Sequence, residues 1–407
     1  MAHIAGPLQD LTVLDLSRVL AGPWATQFLG DLGARVIKVE RPGAGDDTRG
    51  WGPPFVGDGS GDATYYLCAN RNREAIAIDF GRPEGAELVR RLAERADVLV
   101  ENFRTGTLSR YGLDPAQLRA RNPRLVTCSI TGFGQTGPDA GRAGYDVLIQ
   151  GVGGLMSLTG RPDGTPGAGP LKAGIPVADL VTGLYAAGTI LAALWHVRSA
   201  GEGQHIDLAL LDCQVAVLAN HWASYLNAGV VPGRLGNAHP TVVPYRDFQT
   251  ADGDVIVAVG SDLQFRRLAE ALGRGDLAAD PRFTTNAGRC RHREELEAQL
   301  EGTLKDWRTA ELLEVLDRVG VPAGPIQDLS AVFHHPQVIA RALVQRVQRV
   351  TGAEVALVGH PARLSRTPAA VRTAPPVRGE HTRAILEGDL GLSPAEIDRL
   401  FAEGVVA

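Results

Sequence analysis

The chain has 407 residues, 44% hydrophobic and 21% charged, with a net charge of −5; it is long enough for two domains around substantial cores. The mild acidity leaves no electrostatic footprint for nucleic acid. The four cysteines (Cys68, Cys128, Cys213, Cys290) are far apart with no C-x-x-C pair, which argues against a zinc or redox motif and for free thiols in a reducing compartment. The first residues lack the basic and apolar segments of a signal peptide, so a cytoplasmic protein is expected.

In chain order, the pattern predicts a buried strand over 11–16, a helix over 23–33 with Pro23 in its first turn and Gly33 past its end, and a strand over 35–40. The rhythm returns with a strand near 75–79, a helix over 82–95, and strands over 97–101 and 125–130. Such alternation implies a mainly parallel sheet covered by helices. Gly132-Phe-Gly-Gln-Thr-Gly137 fits G-x-G-x-x-G, but Pro138-Asp-Ala-Gly141 follows, and no helix starts there to hold a pyrophosphate. No Walker loop and no metal-ligand spacing is present; His334-His335 is an adjacent pair in an expected loop. Basic residues near the predicted strand ends (Arg18, Arg41, Arg71, Arg73, Arg104, Arg110) together hint at an anionic ligand.

A glycine-dense stretch from Gly151 to Gly174 precedes an apolar helix that starts near Asp179 and ends near Trp195, short for a membrane span. Asp179 is either an ordinary N-terminal cap or a nucleophile, since the helix start stabilises its charge without sealing it from a ligand. A strand over 205–208 and an apolar helix over 210–228 come next, then a Gly- and Pro-rich linker. A compact unit follows, with strands over 245–249 and 254–259 joined by Ala251-Asp252-Gly253, and helices over 262–272, 293–303 and 308–319. Beyond Val321 the chain returns to short strands and ends in a helix opened by the capping box Ser393-Pro-Ala-Glu396.

Several stretches in order resemble the family III CoA-transferases, the group that includes formyl-CoA transferase, carnitine CoA-transferase and alpha-methylacyl-CoA racemase. They are Arg18-Val-Leu-Ala-Gly-Pro23, Leu32-Gly-Ala-Arg-Val-Ile-Lys-Val-Glu-Arg41, Gly45-Asp-Asp-Thr-Arg49, Val100-Glu-Asn-Phe103, Gly144-Tyr-Asp146, Ala178-Asp179, Gly236-Asn-Ala-His-Pro240, Gly320-Val-Pro-Ala-Gly-Pro325 and Gly379-Glu-His-Thr382. The resemblance runs from about Leu8 to Val405.

It implies that Asp179 is the catalytic nucleophile, attacking an acyl-CoA to give an aspartyl anhydride and then an aspartyl-CoA thioester. CoA-contacting positions carry over onto Val19, Leu20, Ala21, Arg41, Ile78, Asp79, Phe80, Asn102, Phe103 and Arg110. Ala143 stands where the formyl-CoA member has a lysine. The glycine-rich flap is represented by Gly260-Ser261-Asp262, which makes Gly260 and Ser261 catalytic candidates. Tyr145 stands where the racemase has its histidine. An ordinary tyrosine, with a pKa of about 10, is a poor base at neutral pH. Transferase chemistry is therefore expected, with 2-methylacyl-CoA racemization as the alternative and Tyr145 as a hydrogen-bond donor.

Within the family, the segments 43–55, 129–138 and 239–245 look most like enzymes that use succinyl-CoA and a short dicarboxylate such as glutarate. The resemblance implies an α/β fold: a large doubly wound, Rossmann-like domain from both chain ends, a smaller inserted α+β domain, and an interlocked-ring homodimer. The expected division is 1–229 for the N-terminal part of the large domain, 230–244 as linker, 245–325 as small domain and 326–407 returning to the large one. Acyl-CoA and carboxylic acid are the expected substrates. No tightly bound cofactor, metal, nucleic acid or membrane partner is expected.

Overall fold

The computed structural model describes residues 6–407. The leader reading drew partly on residues 1–5, which lie outside the described residues. The chain forms two compact units. The first comprises the chain up to Leu155, Lys172–Val230 and Ile339–Ala407; the second comprises Met156–Leu171 and Val231–Val338.

In the first unit, β1 (Thr12–Asp15), β2 (Arg35–Glu40), β3 (Glu74–Ala77), β4 (Val98–Glu101), β5 (Val126–Thr131) and β6 (His205–Ala209) form a six-stranded sheet in the order β3-β2-β1-β4-β5-β6. Every neighbouring pair is parallel. Alternate residues face opposite cores. Leu14, Ile37, Ile76 and Leu99 meet the Pro83–Ala93 helix and the C-terminal helices Thr382–Gly388 and Pro394–Ala402. Val13, Val36, Val98 and Val126 meet the helices Ala21–Asp31 and Val177–Ala200. Burial on both faces is why successive apolar residues such as Val13-Leu14, Val36-Ile37 and Val98-Leu99-Val100 are all buried. The chain end returns to the edge strand β3, where the Asp79 N–H donates to the Val405 carbonyl at 2.8 Å.

The Val177–Ala200 helix is longer than the expected 180–195 and runs to Gly201, which closes it at φ 77°. It is long and apolar enough to cross a membrane by length and composition, with a mean hydropathy of 1.7. One face nevertheless lies on the sheet and on the Ala21–Asp31 helix through small residues. A Cβ at Gly183 would come within 2.7 Å of the Ala21 carbonyl oxygen, so only glycine permits that crossing. The single helix expected over 210–228 is instead two, Leu210–Ala216 and Asn220–Ala228. The break has no Gly or Pro to announce it. Ala219 takes φ 46°, and the Trp222 indole N–H satisfies the freed Ala216 carbonyl at 3.2 Å. A hairpin of β10 (Val344–Gln348) and β11 (Glu354–Val358) completes this unit.

In the second unit, β7 (Tyr245–Gln249) pairs antiparallel with β8 (Asp254–Ala258), and β9 (Ala323–Pro325) pairs with β8 on the other side. Phe265, Leu268, Leu296, Leu300, Leu312 and Leu316 from the surrounding helices cover this sheet. Residues 156–171, expected in the large domain, group here instead: Gly236 N–H donates to Gly160 O at 3.0 Å and Arg234 pairs with Asp163. Part of the expected linker is also packed, since Val243 is fully buried and its carbonyl accepts from Arg289 Nε at 2.7 Å.

Candidate active site

The strand order reverses between β1 and β4, and loops leaving adjacent parallel strands in opposite directions open a crevice at such a point. A cavity of about 300 Å³ lies there, lined by the turn Arg18–Ala21 after β1, Asn102–Thr105 after β4, Ile130–Gly132 at the end of β5, the segment Ala140–Tyr145 in part, Asp179 and Leu210. Two glycines let the last loops close on each other: a Cβ on Gly132 would lie 2.6 Å from the Gly144 Cα. The structure thus gathers Val19, Leu20, Ala21, Asn102, Phe103, Tyr145 and Asp179 around one pocket.

Asp179 sits in the first turn of the Val177–Ala200 helix but does not cap it. The cap comes from Asp146, at the start of the Asp146–Val152 helix, whose Oδ1 accepts from the N–H of Ala178 at 2.8 Å and of Asp179 at 3.3 Å. Gln150 steadies the arrangement, donating to Asp146 Oδ2 at 2.6 Å and accepting from Ala173 N–H at 2.8 Å. The Asp179 carboxylate is left with no hydrogen bond from the described residues and faces the cavity. Burial, and next the negative charge of Asp146, push its carboxyl up to about 7. Near neutral pH it is divided between acid and carboxylate, and the carboxylate form is poorly solvated, a state suited to attack on carbon.

The turn after β1 is tightly held. Asn102 Oδ1 accepts from Arg18 N–H at 2.9 Å, and its Nδ2 donates to the Arg18 carbonyl at 2.7 Å. Val19 follows with φ 69°. Arg18 and Arg41 both pair with Asp47, at 2.9 and 3.0 Å. Arg142 pairs with Asp139 and lies over the Phe133 ring. Arg104 lines the cavity with no ion-pair partner among the described residues. Under the β4 end, burial pushes Glu101 up to about 6 while its Oε2 accepts from Phe103 N–H at 2.8 Å.

Other expected positions fall elsewhere. Arg71 and Arg73 are no part of a phosphate surface: both are buried, paired with Asp31 and Asp15 at 2.5 and 2.9 Å. Ile78 is fully buried in the core, so its side chain is packing. Asp79 pairs with Arg82, and Phe80 stacks edge-on against Phe103 with ring centroids 5.6 Å apart. Arg110 lies in a short 3₁₀ turn, Leu108–Tyr111, with its side chain exposed. Gly260 and Ser261 belong to the second unit, where the Ser261 hydroxyl caps the Asp262–Ala271 helix and Gly260 N–H donates to Gln264 Oε1 at 2.9 Å.

Asp146, Gln150, Asp47 and Tyr65 carry no role that the sequence alone assigns. Asp146 was within reach, since an Asp opening a helix is a capping signal; what the sequence does not show is that it caps a different helix. Tyr65 has its phenol pushed up to about 12 by burial, then by Cys68 and by the charges of Asp179 and Asp146, so it stays protonated.

Residues 8–382 match the family model described as CoA-transferase family III. A succinate–glutarate CoA-transferase of Agrobacterium fabrum is 49% identical over 383 residues, covering 93% of this chain and 95% of that protein. A human succinyl-CoA:glutarate CoA-transferase is 42% identical over 400 residues, covering 98% and 90%. Among solved structures, a CAIB/BAIF family protein from Brucella suis superposes with a TM-score of 0.83 at 47% identity, covering 97% of this chain and all of that one.

Proposed function

The chain belongs to CoA-transferase family III, and from that premise we propose that it moves coenzyme A from succinyl-CoA to a short dicarboxylate such as glutarate, with Asp179 as the nucleophile. The observation that carries this reading is the Asp179 carboxylate itself: without a hydrogen bond from the described residues, facing the cavity, and relieved of helix capping by Asp146.

In the proposed sequence, a carboxylate oxygen of Asp179 attacks the thioester carbonyl, the C–S bond breaks, and CoA leaves as thiolate from a mixed aspartyl–succinyl anhydride. The thiolate attacks the aspartyl carbonyl, expels succinate and leaves an aspartyl-CoA thioester. The acceptor carboxylate attacks that thioester, releasing the thiolate and forming a second anhydride. Attack of the thiolate on the acceptor's acyl carbon yields the new acyl-CoA and restores Asp179. Each exchange keeps the acyl group activated. Tyr145 at the rim is the donor to the oxyanion or to the acceptor carboxylate. Arg18 and Arg41 supply charge for the CoA phosphates, and Arg104, which has no ion-pair partner among the described residues, meets the substrate's distal carboxylate. Racemization is not favoured: the two relatives described above are transferases by name, and the base position holds Tyr145.

The proposed assembly is an interlocked homodimer in the cytoplasm. Its support is apolar surface that water would otherwise face: Trp195 is 72% exposed on the outer face of the Val177–Ala200 helix, and Trp222, Tyr225 and Leu226 are exposed on Asn220–Ala228. Light scattering on a detergent-free sample is expected to give twice the 43.1 kDa chain mass.

The decisive experiment is mass spectrometry of CoA esters after incubation with succinyl-CoA and a panel of acids: glutarate, malate, citramalate, itaconate, oxalate and carnitine. Glutaryl-CoA is the expected product. A new ester with a different acid only would replace the acceptor. No new ester, with deuterium uptake at C2 of a 2-methylacyl-CoA, would overturn the transferase reading of Asp179.

A further inference from the structure

We propose that Asn102 is a positioning residue: its side-chain amide holds the turn after β1 in a strained conformation and favours acyl-CoA binding through that turn, not by touching CoA. The proposal rests on the reading of the cavity as the CoA site.

The geometry is a closed ring. One amide of Asn102 takes both polar groups of Arg18, accepting from its N–H at 2.9 Å and donating to its carbonyl at 2.7 Å. The next residue, Val19, has φ 69°, in the left-handed region that a β-branched residue rarely enters. Such a conformation persists only where the surroundings over-determine it. Here they do. Lys38 Nζ donates to the Ser17 carbonyl at 2.8 Å, and Asp46 Oδ1 accepts from Val19 N–H at 3.3 Å. Lys38 and Asp46 are themselves a fully buried ion pair at 2.9 Å. Ser17 O, Arg18 N, Arg18 O and Val19 N are thus pinned by side chains from β2, the loop after β2, and the end of β4.

The three holders differ in what they can reach. Lys38 and Asp46 have no solvent access and cannot meet a ligand. Asn102 stands at the cavity wall, but its amide oxygen and nitrogen are engaged with Arg18. What the ring presents to the cavity is the turn Arg18-Val19-Leu20-Ala21. Without Asn102, Val19 relaxes toward negative φ and carries the Arg18–Leu20 backbone away from its place in the wall. Glycine occupies positive φ without that penalty, so a turn with glycine in place of Val19 has much less need of the ring.

A double-mutant cycle tests this with Asn102→Ala, Val19→Gly and the double variant, reading donor KM and kcat. Removing the amide is expected to raise the KM for succinyl-CoA about 20-fold with Val19 present and less than about 3-fold on the Val19→Gly background, with kcat little changed in both. An equal rise on both backgrounds would mean that Asn102 contacts CoA directly and would overturn the proposal. An unchanged KM in Asn102→Ala would overturn it too. If Asn102→Ala does not fold, Asn102→Ser enters the same cycle under the same criterion. A wild-type protein that transfers no CoA would remove the functional reading; an active wild type without background dependence removes the ring alone.

Discussion

Beneath the carboxyl ends of its strands the first unit buries Asp15, Lys38, Glu40, Asp46, Arg49 and Glu101, whereas the second unit, among the described residues, buries Arg289 and Glu297 within a core of Leu, Phe and Val. Arg49 shows what the first arrangement does. It donates to both oxygens of Glu40 at 2.7 and 2.8 Å, to Asp62 at 2.9 Å and to the Tyr66 hydroxyl at 2.7 Å, which ties the loop after β2 to its strand. Charges taken out of water cost several kcal/mol each and recover it only in good geometry, so a network of this kind is a weak source of stability. It is a strong source of position. Removing a group from the pocket wall should therefore change chemistry and titration, while an equivalent change in the second unit should change stability alone.

The sharpest test is at Asp179. Asp179→Ala is expected to lower turnover about 10⁴-fold while CoA still binds, since the turn and the Asn102 ring are untouched. A rate near wild type would sink the nucleophile assignment. Asp179→Asn adds a stability readout whose sign is fixed. The folded carboxyl titrates at about 7, above its unfolded value, so the folded state holds the proton more tightly between those values. Stability associated with this group is complete below about pH 4 and is lost as pH rises through about 7. Asp179→Asn should then exceed wild type by on the order of 1–3 kcal/mol at pH 8, a gap that closes toward pH 4. Thermal unfolding at both pH values measures it, and a constant gap would place the origin elsewhere.

A smaller effect is expected at Asp146, where capping and charge act together. Asp146→Asn keeps an oxygen for the Ala178 N–H but removes the like charge that is the second cause of the raised Asp179 value. The ascending limb of the kcat/KM profile, near pH 7 in the wild type, should move down, with turnover reduced about tenfold because the amide sets a donor against Gln150. A limb that stays in place would show that burial alone sets the Asp179 value.

The same contrast explains what could be read from the sequence. The strand–helix alternation of the first unit, the Asp252-Gly253 hairpin turn and the Ser393 capping box are local signals, and the structure has all three. The sites of Arg71 and Arg73 were not legible, because a buried arginine looks like a surface one until its partner is known. Asp31 and Asp15 lie 40 and 58 residues away. Asp146 caps a helix 32 residues further on, and the break at Ala219 carries no breaker residue. Asp179 stood out because an acid at the head of an apolar helix is a local anomaly. That it does not cap its own helix is decided by a residue outside the segment, Asp146.

The smallest effects belong to the second unit, where two caps allow the comparison to be made within one core. The Thr285 hydroxyl accepts from Gly288 N–H at 3.1 Å, and the Ser261 hydroxyl accepts from Gln264 N–H at 3.2 Å. Each replacement by Ala should cost about 1 kcal/mol through an orphaned helix N–H. Thr285→Ala is a pure stability change and sets the baseline for turnover. Ser261→Ala carries the same capping loss, so any drop in turnover beyond the Thr285→Ala value measures chemistry at Ser261. Because its hydroxyl is committed to the helix, the two variants should match in Tm and in kcat to within about twofold. A tenfold deficit confined to Ser261→Ala would assign a flap role to Gly260-Ser261 and end the division of labour between the two units.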